Sequence, residues 1–231
     1  MKLKRKIDWE KFVFIVVFLS LIGSIVYAIV NIVMAAPGAS PTTAHGKLKS
    51  DYTLMLLQCI LGILAMFLPS ILSKRIKLEI PPLLYIIYLI FLFCAIYLGE
   101  VRSFYYRIPY WDSILHSFSG ASLGALGFFI IDVLNEHEKV KIKLSPVFVA
   151  VFAFCFALSL GTIWEIYEFT CDGLLKLNMQ KYMLEDGTPL VGRAALFDTM
   201  KDLIEDALGA LVITLLEFFV IRKRQKSSFN S

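Results

Sequence analysis

The segment Pro146–Asp172, PVFVAVFAFCFALSLGTIWEIYEFTCD, decides the fold. Its first 19 residues carry no charge, and then Glu165, Glu168 and Asp172 arrive together at its end. About 20 apolar residues are what a helix needs to cross roughly 30 Å of hydrocarbon. At about 100° per residue the three acids fall within an arc of about 60°, so a helix here carries one polar stripe at one end.

Working outward, five more apolar runs appear, and six spans are predicted: Phe12–Met34, Tyr52–Leu72, Leu83–Leu98 (extended to Val101), Ile114–Leu134, Pro146–Phe169 and Leu203–Ile221. Hydrocarbon cannot satisfy free backbone N–H and C=O groups, so the spans are helices. The alternating ten-residue segments of a membrane barrel are missing. Composition agrees: 58% of the 231 residues are apolar and only 18% charged, against about half and a quarter in soluble domains. The predicted fold is an all-α, six-transmembrane-helix bundle, a single membrane domain over residues 1–231. Met1–Lys11 is basic and Val33-Met34-Ala35 is weakly like a signal-peptidase site, but 23 apolar residues exceed a signal h-region of about 7–15, so a retained helix is expected.

Charge gives the orientation. Of 23 Lys and Arg residues, 15 fall in the N-terminal tail, the loops after the second and fourth spans, and the C-terminal tail. The positive-inside rule then makes both termini cytoplasmic. These charges read as topogenic and lipid-facing, which excludes nucleic acid as a partner and leaves membrane lipid. Cys59, Cys94, Cys155 and Cys171 lack metal-site spacing and read as small core residues. His45 and His137 fall in loops and receive no role.

The acids do not follow the lysines. Asp112 and His116 open the fourth span, Glu165, Glu168 and Asp172 close the fifth, and Asp198, Asp202, Glu205 and Asp206 open the sixth. Alternating topology brings all three segments to the outer face. Asp112 and His116 lie one helical turn apart, and Gly120, Gly124 and Gly209 extend these stripes with small residues suited to close helix contact. Asp112 and Asp198 also fit as simple helix caps. So many carboxylates around one His repel unless cations or shared protons intervene.

The donor set suits a hard cation, Mg²⁺ or Mn²⁺, better than Zn²⁺. The predicted metal ligands are Asp198, Asp202, Asp206, Glu165 and Glu168. His116, Asp112, Glu165 and Glu168 are the candidate catalytic groups. Arg193, in the long connector Gly173–Phe197, and Arg102, in the aromatic-rich segment Glu100–Asp112, are candidate anion-binding residues, with an aromatic belt as the plainer reading of the latter segment.

Trp111–His116, Trp164–Phe169 and Phe197–Ala210 together resemble the YjdF-like family of bacterial membrane proteins. The resemblance covers about residues 111–211 and implies a polytopic inner-membrane protein without an established biochemistry. A looser similarity to the VanZ-like family rests on Glu165, Gly192-Arg193, Asp198 and Gly209, and implies a link to the cell envelope. Asp198-x3-Asp202 also matches the second half of the CDP-alcohol phosphotransferase pattern, but its first half needs an Asp-x2-Asp-Gly-x2-Ala-Arg run, and here Asp172-Gly173 is followed by Leu174-Leu175-Lys176. Two functions follow as expectations. One is a metal-dependent enzyme acting on a phosphorylated lipid or envelope precursor. The other is an ion- or proton-coupled transporter, with a non-catalytic envelope-stress accessory protein as a third reading.

Overall fold

The computed structural model describes residues 8–34, 49–76, 80–136, 144–184 and 187–229. Those residues are almost entirely helical: α1 Trp9–Met34, α2 Lys49–Ile76, α3 Pro82–Leu92 continuing as a π-helix over Phe93–Val101, the short α4 Phe104–Arg107, α5 Trp111–Glu136, α6 Pro146–Leu175 and α7 Phe197–Phe229. Among the described residues the only β feature is an isolated bridge between Met183 and Pro189. His45, His137, Lys2–Lys6 and Lys139–Lys143 lie outside the described residues.

Among the described residues, five helices are long and apolar enough to cross a membrane: Trp9–Met34, Lys49–Arg75, Pro82–Val101, Trp111–Leu134 and Pro146–Leu175. The third reaches 20 residues because the π-helical segment carries α3 on to Val101. The predicted sixth span lies inside α7. Its apolar run, Ala207–Ile221, contains Glu217 and has 15 residues, about 22 Å of helix. That is shorter than the hydrocarbon core, which separates α7 from the other five.

The chain divides into two compact units: Met1–Trp111 with Leu175–Asn178, and Asp112–Leu174 with Met179–Ser231. In the first, α1, α2 and α3 pack around Val17, Leu21, Ala28, Met55, Cys59, Met66, Leu89 and Leu92. Pro69 sits inside α2 and has no N–H to offer the carbonyl four residues back, that of Ala65. Tyr88 on α3 donates its hydroxyl to that carbonyl at 2.9 Å, and Tyr85 donates to Met66 O at 3.0 Å. The freed backbone acceptor thus pins two helices together where no water is available. Trp111 Nε1 donates to the carbonyl of Cys94 in the π-helical segment at 3.3 Å.

In the second unit α5, α6 and α7 meet through glycine. A Cβ on Gly120 would overlap the Asp206 backbone, and one on Gly209 would overlap the carbonyl of Ser117. One on Gly127 would stand 2.7 Å from Ala153 Cα. The small-residue face predicted on the fourth span is therefore where α5 meets α7, and the absence of side chains brings the backbones into contact. Along α6 the buried positions are Val149, Ala153, Ala157, Gly161, Glu165, Glu168 and Asp172. That stripe is small and apolar at one end and acidic at the other. The opposite face exposes Phe148, Val151, Ile163, Ile166 and Phe169. Large apolar side chains outside and small or polar ones inside are what a lipid solvent selects, and a soluble protein would aggregate through such a surface.

The cysteines divide. Cys59 is buried as predicted, whereas Cys155 is exposed among the outward-facing apolar residues of α6, and all four are free thiols. Helix position alone does not say which face a residue takes, and this one lies off the buried stripe.

Candidate functional site

Asp112 occupies the first turn of α5, one turn before His116, and both point toward α7. There Asp202, Asp206, Ala210 and Thr214 form a buried i, i+4 stripe. The stripe follows from sequence spacing; the meeting of the two helices follows from Gly120 and Gly209.

His116 stands at the centre, with 14% of its side chain exposed. Its Nε2 lies 3.8 Å from Asp112 Oδ1 and 3.7 Å from Asp202 Oδ2, and its Nδ1 lies 3.5 Å from Asp206 Oδ2. Gly161 of α6 makes room for that last carboxylate, because a Cβ there would stand 2.5 Å from Asp206 Oδ2. On the far side of the acids, Lys201 Nζ lies 3.2 Å from Glu205 Oε2, 3.4 Å from Asp202 Oδ1 and 3.9 Å from Asp112 Oδ2. Asp112 and Asp202 therefore each turn one oxygen to His116 and the other to Lys201.

The α6 acids have separate environments. Glu168 accepts a hydrogen bond from Trp164 Nε1 at 2.9 Å. Glu165 is buried, and neither of its oxygens has a hydrogen-bond partner, although Thr199 and Gln180 stand near it. Gln180 Nε2 donates to Thr199 Oγ1 at 2.8 Å. His116 is close enough to Glu165 and Glu168 for their charges to interact. Asp198, in the first turn of α7, has Lys181, Lys201, Asp112 and His116 within electrostatic reach.

Asp172 has a structural task. Its two oxygens accept backbone N–H groups from Met179 at 2.8 Å and Gln180 at 3.0 Å. These bonds fold the connector back onto the end of α6, where Lys176 takes a left-handed φ of 57°. Further on, Leu190 N–H donates to Tyr182 O at 2.8 Å and Leu184 N–H to Thr188 O at 2.9 Å, so the connector doubles back on itself. Tyr182 lies there outside the spans; burial and the neighbouring Asp172 charge raise its phenol above the usual range.

The atoms best placed to share one cation come from Asp112, His116 and Asp202, one from each, all within 4.8 Å of one another. Two carboxylates and an imidazole fit a divalent ion of intermediate hardness. With Nε2 turned to the ion, His116 would give its Nδ1–H to Asp206, the usual outer support of a metal-bound imidazole. This grouping takes Asp202 from the predicted ligands and joins to it Asp112 and His116, read from sequence as catalytic. Asp206 falls behind His116, and Asp198, Glu165 and Glu168 lie around the group.

Arg193 is exposed in the 3₁₀ turn Gly192–Ala194, and Arg102 is exposed in the first unit. Lys201, by contrast, stands in contact with the acids. Its i, i+4 spacing to Glu205 is legible in the sequence. Gln180, Thr199 and Gly161 left no such signal, because their contacts cross between segments.

Helices with apolar exteriors and a buried polar cluster define a multi-pass helical membrane protein. The chain belongs to the family of predicted membrane proteins DUF2238, whose model matches residues 18–223. An uncharacterized protein of Thermotoga maritima is 29% identical over 153 residues, which cover 66% of this chain and 70% of that one. No solved structure matches the chain.

Proposed function

We propose that this is a six-span bacterial inner-membrane protein, with cytoplasmic termini and an outward-facing site that binds a divalent cation, Mg²⁺ or Mn²⁺, and acts on a phosphorylated lipid or envelope precursor. In this reading α7 is the sixth span, its charged first turns joining the site and its short apolar run crossing with the help of neighbours. The single observation that carries the cation is His116 held between acids of two helices, with Asp112 and Asp202 toward Nε2 and Asp206 toward Nδ1.

Asp112, Asp202 and His116 hold the ion, and Asp206 orients the imidazole. Such an ion supplies positive charge to a phosphate oxygen or lowers the pKa of a bound water. Glu165 and Glu168 remain as the carboxylates available for proton transfer, and Lys201 is the cation nearest to where a phosphate would sit. The finer kinship, to YjdF-like proteins, is supported by Trp164–Phe169 and Phe197–Ala210, which fall within the matched span. The looser VanZ-like similarity is what points to the envelope.

The test is metal content and thermal stability of purified protein, with and without chelator, for the wild type and Asp202→Asn. Stoichiometric Mn²⁺ or Mg²⁺ and a chelator-sensitive melting temperature in the wild type alone are expected. A metal-free protein indifferent to chelator overturns the reading. A reporter at the C-terminus tests the orientation, and a periplasmic signal there would invert the site.

One observation favours a transporter as the second reading: Glu165 is buried with both oxygens unpartnered, as an ion- or proton-carrying acid would be. Proton-driven uptake in vesicles, lost in Glu165→Gln, is its test.

A further inference from the structure

We propose that Lys201 is a built-in competitor for the cation position. Its ammonium pairs with Asp112 and Asp202, offsetting part of their charge, while no metal is bound, and it retreats to Glu205 when a divalent ion arrives. The inference rests on the cation-binding reading above and adds a regulating residue to it.

The geometry carries it. Two of the three acids around Lys201 Nζ, Asp202 at 3.4 Å and Asp112 at 3.9 Å, belong to the candidate ligand set. They meet the ammonium through the oxygens that face away from His116. A divalent ion among Asp112, His116 and Asp202 would therefore sit across the same carboxylates from Lys201. Two cations so placed repel, and little water lies between them to screen the repulsion, since the Asp202 side chain is only 3% exposed.

Lys201 has somewhere to go. Glu205 Oε2 already lies 3.2 Å from it, one turn further along α7, and that side chain is 17% exposed against 28% for Lys201. Glu205 is outside the ligand group, so the ammonium can keep one partner while releasing two. The acids are also not satisfied by Lys201 alone. Asp206 Oδ1 and both oxygens of Glu165 are buried without a hydrogen-bond partner, and the residues are about 96% buried. Buried acids in that condition call for further positive charge or hydrogen. A tethered lysine thus keeps the fold tolerable without metal and sets a threshold that the ion must exceed.

The experiment uses the full chain in detergent with Mn²⁺ as probe. Titration calorimetry should show Lys201→Met binding about tenfold tighter than wild type, the scale of one poorly screened charge, with Lys201→Arg near wild type. Methionine keeps the apolar stem, so packing is little changed. In the wild type itself, labelling of Lys201 by an amine-reactive reagent, read by peptide mass spectrometry, should rise as Mn²⁺ saturates the site. Equal or weaker binding by Lys201→Met, or saturation without a rise in labelling, overturns the competition and leaves the cation site standing. Binding by Lys201→Met but not by wild type supports the competition and makes lysine the resident cation, against the metal reading. No binding by either overturns both.

Discussion

In the first unit the buried side chains are Val17, Leu21, Met55, Cys59, Met66, Leu89 and their neighbours, and Ser24 is the one polar residue among those described as buried. In the second unit the same depth is shared by Ala153, Ala157 and Ala210 with Glu165, Glu168, Asp172, Asp202 and Asp206. Both units face outward with Leu, Ile, Val and Phe, so their exteriors do not distinguish them. The difference lies inside. The first unit uses its interior for packing, and the backbone acceptor that Pro69 frees is taken by Tyr88. The second accepts the desolvation of five acids, and apart from Asp172, which holds the connector, packing does not explain the cost. Natural proteins keep such groups where a site needs them, at the expense of stability.

That contrast can be broken. The largest effect is expected from glycine. Gly209→Leu drives a side chain into the Ser117 carbonyl and should cost about 3 kcal/mol or more, seen as loss of folded protein by size-exclusion chromatography. Gly23→Leu, with nothing within 4 Å of its Cβ position, should be neutral. If both are tolerated, α5 and α7 do not meet as described.

Next comes Leu21→Ala in the first unit. Leu21 is fully buried, so about 2–5 kcal/mol of stability should go while Mn²⁺ affinity stays unchanged in whatever folds. A change in affinity would show that the site depends on the first unit's packing.

Asp202→Asn sharpens the comparison from the other side. It should lower Mn²⁺ affinity at least tenfold, about 1.4 kcal/mol, yet leave the metal-free melting temperature equal or higher, because a buried charge is removed. A metal-free protein that melts much lower would make Asp202 a structural group.

The smallest effect is expected for Tyr88→Phe, about 1 kcal/mol, from leaving the Ala65 carbonyl above Pro69 without a donor. Thermal unfolding checks it, and no change would mean that the carbonyl finds another partner.

Much was legible because helical periodicity is local. The five long apolar helices follow from uninterrupted runs, and the stripes Asp112/His116, Glu165/Glu168/Asp172 and Asp198/Asp202/Asp206 follow from turns of 3.6 residues. Glu217 was legible too, as a charge inside the sixth predicted span. The task of Asp172 was not legible in this way: its oxygens accept N–H groups of the connector seven and eight residues on, and no periodicity encodes that return.

The sequence by itself determined the solvent, the helices and the side of each helix that carries charge, since all three depend on neighbours within a turn or a span. Only the tertiary structure decided how those sides are turned toward one another. It chose which carboxylate meets which nitrogen of His116, it brought Lys201 against Asp112 and Asp202, and it placed Asp206 in the space left by Gly161. A stripe fixes a face, but the azimuth and depth at which two faces meet are set by close contact at Gly120, Gly161 and Gly209, where a missing Cβ lets a neighbouring helix approach.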